Sequence, residues 1–253
     1  MSVDVDALAE RLDRAQRSAA AVRQLTATDQ LDVPTAYRIQ QRLVHLRTGR
    51  GERLVGLKMG LTSQAKMTQM GVDQPIWGHL TDAMDIDDGG TVDPGRFIHP
   101  RVEPEVAFLL DGGGAPTAVA PALEAIDSRY AGFQFTLPDV IADNTSAAGF
   151  VIGAWRPVPV GVDNLGVLLE VDGRVVQTGS TAAILGDPRR ALARGLDQAR
   201  AAGVRPEPGG VFLAGADTEA AALEPGAHVR AVVEELGSAS LRVAGPATEG
   251  GAP

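Results

Sequence analysis

Apolar residues in the first fifty positions recur at three- and four-residue steps. Leu8, Leu12, Ala15, Ala19 and Val22 form one stripe, which predicts an amphipathic helix. A second helix is predicted to start at Asp32 and Pro34, a cap followed by a first-turn proline. It carries Tyr37, Gln40, Leu43 and Leu46 or Arg47, and stops at Gly49. Beyond Gly51 short apolar runs alternate with Gly, Pro and Asp. Strands are predicted at 54–59, 102–110, 123–128, 151–154, 165–171, 174–177, 211–214, 229–235 and 240–243. Asp172-Gly173 between two apolar runs predicts a two-residue hairpin turn. One more helix is predicted from Pro188 to about Ala202, with Asp187 as its cap and Gly203 at its end.

The pattern predicts a helical segment over 1–50 and a β-rich domain over 51–244. The Gly-, Ala- and Pro-rich tail over 245–253 is expected to be disordered. Strand and helix do not alternate, which argues against a doubly wound parallel sheet and for an α+β fold.

Composition narrows the function classes. The chain has 253 residues and a net charge of −9, so it carries no electrostatic footprint for nucleic acid or an anionic membrane. With no cysteine, disulfides, zinc–thiolate sites, iron–sulfur clusters and a cysteine nucleophile are excluded. The start, Met1 to Leu12, is acidic and lacks an apolar core, so no signal peptide is expected, and a cytoplasmic location follows by default. The glycines form no phosphate-binding pattern.

The most informative segment runs from His99 to Leu110. In a strand, residues two apart face the same way, so Glu103 and Glu105 project together. Two ionised carboxylates that close repel unless a proton or cation lies between them. The plain alternative is two glutamates on a solvated strand face. Pro104 lacks an amide proton, which predicts an edge or a bulge there. Glu124 lies in the apolar run Pro121 to Ile126, where a carboxylate needs a metal or a partner such as Arg129 or Arg101. Three carboxylates with oxygen ligands from water and substrate suit Mg²⁺ or Mn²⁺. Lys58, within Leu54 to Leu61, is an equally odd charge. It either balances charge, holds a substrate carboxylate or moves a proton, or it snorkels from an edge strand. His79 and His99 form no metal-binding pair and read as structural. Asp143-Asn144 and Gly179-Ser-Thr181 either hydrogen-bond a substrate or close turns.

Several ordered motifs then coincide: Gly56-Leu-Lys-Met-Gly-Leu-Thr62, Gly71-Val-Asp-Gln-Pro-Ile-Trp-Gly78, Pro100-Arg-Val-Glu-Pro-Glu105, Pro121-Ala-Leu-Glu124, Ala142-Asp-Asn144 and Val151-Ile-Gly153. Across about residues 30 to 240 the chain resembles the hydratase/decarboxylase family of the fumarylacetoacetate hydrolase superfamily. The resemblance implies a β-rich mixed-sheet roll, a metal held by Glu103, Glu105 and Glu124, and Lys58 as the active-site lysine. It further implies substrate contacts from Leu61, Thr62, Ile76, Trp77, Asp143, Ser180 and Thr181. The implied partners are a small 2-oxo diacid, other copies of the chain and a sister hydratase.

Hydratases of this family resemble the pattern with an acidic residue where this chain has Ile76. Ile76-Trp77, the stretch from Lys58 to Met70 and Ile126-Asp-Ser-Arg-Tyr130 are similar to the decarboxylase branch. That branch converts 2-oxo-3-hexenedioate to 2-hydroxypenta-2,4-dienoate and CO2 in aromatic meta-cleavage catabolism. The alternatives are the sister hydratase, carbon–carbon bond hydrolysis of an acylpyruvate, and a non-catalytic partner subunit. Two features depart from the family pattern: the short link from Asp111 to Ala120, and Gly186-Asp187-Pro188 in place of Gly-His-Pro.

Overall fold

The computed structural model describes residues 3–245, so the expected disorder of 245–253 falls almost wholly outside the described residues. Five helices are described: α1 (Val5–Arg17), α2 (Val33–Thr48), α3 (Gln64–Met70), α4 (Leu137–Ala142) and α5 (Pro188–Ala201). The strands up to the middle of the chain are β1 (Leu54–Gly60), β2 (Ile76–Thr81), β3 (Asp85–Ile86), β4 (Thr91–Val92), β5 (Arg101–Leu110), β6 (Pro116–Ile126) and β7 (Ala147–Ile152). The later ones are β8 (Gly166–Val171), β9 (Arg174–Ser180), β10 (Val211–Ala216), β11 (Ala221–Ala222), β12 (His228–Val233) and β13 (Gly237–Val243). Among the described residues, no helix is long and apolar enough to cross a membrane.

The strands form two mixed sheets. The larger has the order β2-β1-β10-β5-β6-β7-β3, with β11 added beside β5; the smaller has the order β4-β13-β12-β8-β9. In the larger sheet β1 runs parallel to β10 and β3 parallel to β7, and the remaining pairs are antiparallel. The sheets face one another across Val102, Leu123, Ala125 and Val151 on one side and Leu169, Val229, Ala231 and Leu241 on the other. On the same side of the larger sheet α5 packs Leu192 and Leu196 against Met59, Phe108 and Phe212. The helices α1, α2 and α4 share a third core of Leu12, Ile39, Leu43, Ile141 and Tyr130, which includes Ile76 of β2.

Local chemistry accounts for the element ends. The Asp4, Asp32 and Asp187 side chains accept from the first-turn amides of α1, α2 and α5. The first helix stops at Arg17, short of the Ala19 and Val22 that its apolar stripe suggested. Ala19 has a φ of 46°, and Val22 instead bridges Tyr130. Asp172 and Gly173 have φ values of 52° and 74°, as the expected hairpin turn demands. The strand at 76–81 is fully buried, so it lacks the alternation that would mark it in sequence, and it was not predicted.

Two further expectations are corrected. Pro104 is not on an edge strand, because β5 lies between β10 and β6; the β10 register shifts by one residue beside it, between Leu213 and Ala216, so the bulge half of the expectation holds. The short link from Asp111 is a closed hairpin. Asp111 Oδ1 accepts from the Gly113 and Ala115 amides, and β6 begins at Pro116, seven residues before the predicted strand.

Helix α5 approaches the sheet at Gly195. A β-carbon there would lie 2.5 Å from Met59 Sδ and 2.7 Å from the Phe212 ring. Alanine is the better helix former by about 1 kcal/mol, but overpacking of a filled core costs about 1–3 kcal/mol. Gly195→Ala is therefore expected to lower stability in chemical denaturation by up to about 2 kcal/mol net of the propensity gain; an increase would show that the contact relaxes freely.

Candidate metal centre and cavity

Strand pairing assembles the acidic cluster. On β5, Glu103 and Glu105 share a face by alternation, and Glu124 of β6 lies directly opposite Glu103 in the register. One carboxylate oxygen from each of the three lies within 4.8 Å of the others. All three side chains are buried; Glu105 and Glu124 are 0% exposed. The bulge in β10 supplies one partner: the Gly215 amide donates to Glu105 Oε2 at 2.9 Å. Gly215 has a φ of 109° and sits so close to Thr62 that a β-carbon would lie 2.2 Å from its Oγ1, so glycine is required on both counts.

Lys58 points into the same cluster from β1. It is 2% exposed, its Nζ lies 2.9 Å from Glu124 Oε2, and it donates to the Thr145 carbonyl at 3.0 Å. That carbonyl is aimed by three successive left-handed residues, Asn144, Thr145 and Ser146, with φ values of 51°, 53° and 57°. Such a turn is strained and persists only where neighbours over-determine it. Here the Asn144 side chain clamps both backbone groups of His79, at 2.8 and 2.9 Å, and Asp143 is tied to the buried Arg129 guanidinium.

The cluster opens on a cavity of about 550 Å³ whose walls include Lys58, Leu61, Lys66, Ile76, Glu103, Phe133, Val140, Thr145 and Asp217. Lys66, on α3, places its Nζ 2.8 Å from Glu103 Oε1. Asp217 is buried with neither oxygen hydrogen-bonded.

The electrostatics call for a cation. Burial, reinforced by Glu124, pushes the Glu105 carboxyl well above the usual range, and burial also raises Glu124 against the opposing charge of Lys58. Burial and then Glu103 push Asp217 well above its usual range. Four buried carboxylates (Glu103, Glu105, Glu124 and Asp217) face two ammonium groups (Lys58 and Lys66), which leaves two negative charges when all are ionised; the exposed Arg101 and Glu219 of the cavity wall are opposite in sign and cancel. One oxygen of Glu105 and Oε1 of Glu124 have no hydrogen-bond partner although buried. Orphaned hard oxygen donors and a charge deficit of two fit a divalent cation such as Mg²⁺.

The residues expected to face a substrate divide. Leu61 and Ile76 line the cavity. Trp77 does not: alternation along β2 turns it to the opposite side, where it stacks on Tyr37 at 5.4 Å. The expectation of a joint Ile76–Trp77 wall is corrected to Ile76 alone. Thr62 packs against Gly215, Asp143 is consumed by Arg129, Ser180 donates to Asn164 at 2.7 Å, and the Thr181 hydroxyl accepts from Leu165; none of these four is among the residues that line the cavity. The partner of Glu124 is Lys58, not Arg129 or Arg101. His79 is buried without a ring hydrogen bond, and burial pushes its pKa down to about 4, so it is neutral near pH 7. Asp217 and Lys66 were missed: neither stands in an apolar run that would flag a buried charge.

No family model matches the chain. A 4-oxalocrotonate decarboxylase of a Pseudomonas species is 49% identical over 252 residues, covering 95% of this chain and 98% of that protein. The chain belongs to the hydratase/decarboxylase family of the fumarylacetoacetate hydrolase superfamily. The same family includes a 2-hydroxyhexa-2,4-dienoate hydratase of Comamonas testosteroni, 31% identical over 94% of this chain and 97% of that one. The solved 4-oxalocrotonate decarboxylase from Pseudomonas putida G7, complexed with magnesium and adipate, superposes with a TM-score of 0.90 at 35% identity, over 94% of this chain and 97% of that one. The α+β mixed-sheet fold expected of the family is the fold observed.

A cation that binds only the folded family member stabilises it by about 2.7 kcal/mol at a hundred-fold excess over its Kd. Mg²⁺ is expected to raise stability by this order, and Glu105→Gln to abolish the gain while raising metal-free stability. The sign with pH follows from the raised folded-state pKa. Relative to the unfolded chain, the Glu105 contribution is fully present below the ordinary carboxyl value of 4.5 and is lost as pH rises through the raised value. The metal-free wild type should thus fall further behind Glu105→Gln as pH rises. Denaturation curves of both proteins across pH measure this, and a pH-independent difference would contradict it.

Proposed function

We propose that this chain decarboxylates 4-oxalocrotonate (2-oxo-3-hexenedioate) to 2-hydroxypenta-2,4-dienoate and CO2 with Mg²⁺ or Mn²⁺ as cofactor. The observation that carries the reading is the three-carboxylate cluster, which with Asp217 is short of two positive charges against Lys58 and Lys66, at the end of a cavity walled by Ile76. The 49% identical 4-oxalocrotonate decarboxylase supports it. We place the activity in aromatic meta-cleavage catabolism in the cytoplasm, by a homo-oligomer associated with a sister hydratase. Kinship with both branches supports that placement.

In this reading Glu103, Glu105 and Glu124 hold the cation. Bound there, it supplies Lewis-acid stabilisation of charge developing at the 2-oxo group. The C5–C6 bond of the diacid breaks, its electrons move through the C3–C4 double bond toward the C2 oxygen, and CO2 departs. A proton on that oxygen completes 2-hydroxypenta-2,4-dienoate. Lys58 Nζ, 2.9 Å from Glu124 Oε2, opposes the burial that raises that carboxyl and is a buried proton donor beside the cluster. Leu61, Ile76, Val140 and Phe133 keep water from the reacting chain. Decarboxylation needs no activated water, whereas a hydratase must deliver one. The isoleucine at position 76 therefore favours the decarboxylase over the hydratase.

The purified protein with Mg²⁺ is expected to release CO2 from 2-oxo-3-hexenedioate. Lys58→Met and Glu124→Gln should each lower kcat/KM by at least about a hundred-fold, a loss typical of acid–base and metal-holding groups. Ile76→Asp should lower decarboxylation by about ten-fold or more by admitting water and a second charge. Hydration of 2-hydroxypenta-2,4-dienoate without CO2 release from the diacid would sink the proposal.

A further inference from the structure

Three cationic side chains line the cavity: Lys58, Lys66 and Arg101. The first two are occupied, Lys58 by Glu124 at 2.9 Å and Lys66 by Glu103 at 2.8 Å. Among the described residues, Arg101 has neither an ion pair nor a side-chain hydrogen bond. Asp217 of the same wall leaves both its oxygens unpartnered, so it does not bond Arg101. Instead the guanidinium lies 4.7 Å over the Phe133 ring. That ring is itself wedged between His99 at 5.1 Å and Phe135 at 5.8 Å. A guanidinium seated on a fixed aromatic face keeps its fork of N–H donors free for a carboxylate.

Its position along the strand is informative. Arg101, Glu103 and Glu105 alternate onto one face of β5, and Arg101 is the outermost and solvent-exposed. Two residues of strand span about 6.6 Å. Six carbons in an extended chain, joined by five bonds of about 1.5 Å, span roughly 6 Å from end to end. A six-carbon diacid with its 2-oxo acid end at the glutamates therefore brings its other carboxylate to the depth of Arg101.

We propose that Arg101 is the specificity-determining residue for the distal carboxylate of a 2-oxo dicarboxylic acid. The inference rests on the reading that the glutamate cluster takes the 2-oxo acid end. It puts the carboxylate that is lost at the cavity rim, where CO2 leaves to solvent, and it sets diacids apart from 2-oxo monoacids. Because the contact is made in the bound substrate and released as CO2 departs, its loss raises KM without lowering kcat.

The test uses two ligands identical at the metal end, 2-oxoadipate and 2-oxohexanoate, titrated calorimetrically into the Mg²⁺-loaded full chain. The wild type should bind the diacid more tightly. Arg101→Met, which keeps an apolar chain on Phe133, should weaken 2-oxoadipate by about ten-fold or more and leave 2-oxohexanoate unchanged; Arg101→Lys should recover part of the loss. Equal weakening of both ligands, no weakening of either, or a wild type that does not discriminate between them overturns the proposal. The readout is separate from turnover. If the protein binds both 2-oxo acids and Arg101→Met is selective but no CO2 is released, the decarboxylase reading fails and the anchor stands. If CO2 is released and Arg101→Met binds both ligands as the wild type does, the anchor fails alone.

Discussion

Glu105 and Glu124 stand as near neighbours in an interior that rejects isolated charge. Desolvation of an ion there costs several kcal/mol, so the arrangement is stable only with protons, counter-charges or a metal supplied. Lys58 neutralises one of the two, and the Gly215 amide satisfies one oxygen of the other. What remains is a charge deficit and two orphaned oxygens, which is the physical definition of a site for a hard cation.

Much of the surrounding structure serves to hold that cluster in place. The bulge in β10 turns the Gly215 amide toward Glu105 instead of toward the ladder. The left-handed turn at 144–146 turns the Thr145 carbonyl toward Lys58. The Asp143–Arg129 pair and the Asn144 clamp on His79 carry the strain of that turn, so residues that do not line the cavity wall beside Lys58 still fix the carbonyl that orients it. Helix α3 brings Lys66 over Glu103 from the opposite wall.

In the proposed reading the glutamate cluster holds the metal, and what sets this chain apart from a hydratase lies in what faces the substrate beyond it. Here the wall is Ile76, alone, because alternation along β2 sends Trp77 to the far side of the strand. An apolar side chain at that point neither orients a water nor carries a proton. In that reading the division of labour is spatial: the cluster would recognise a 2-oxo acid end, and the middle of the cavity would set which bond changes.

Most of this was legible along the chain where a physical rule acts locally. The capping aspartates Asp32 and Asp187, the Asp172-Gly173 turn and the helical stripe of α2 depend on near neighbours, and they fell where expected. The acidic cluster was visible in part, because strand alternation puts Glu103 and Glu105 on one face and Glu124 stands out in an apolar run. Strand β2 escaped because buried strands do not alternate, and Asp217 and Lys66 escaped because the burial of the one and the ion pair of the other are imposed by distant elements. By itself, then, the sequence singled out three glutamates and a lysine as charges that the fold would have to solvate, pair or give to a cation. Only the tertiary structure decided how: which oxygen meets which partner, which of Ile76 and Trp77 sees the cavity, and which cation is left free. Register and bulges set those facing relations between residues far apart in the chain, and no local rule encodes them.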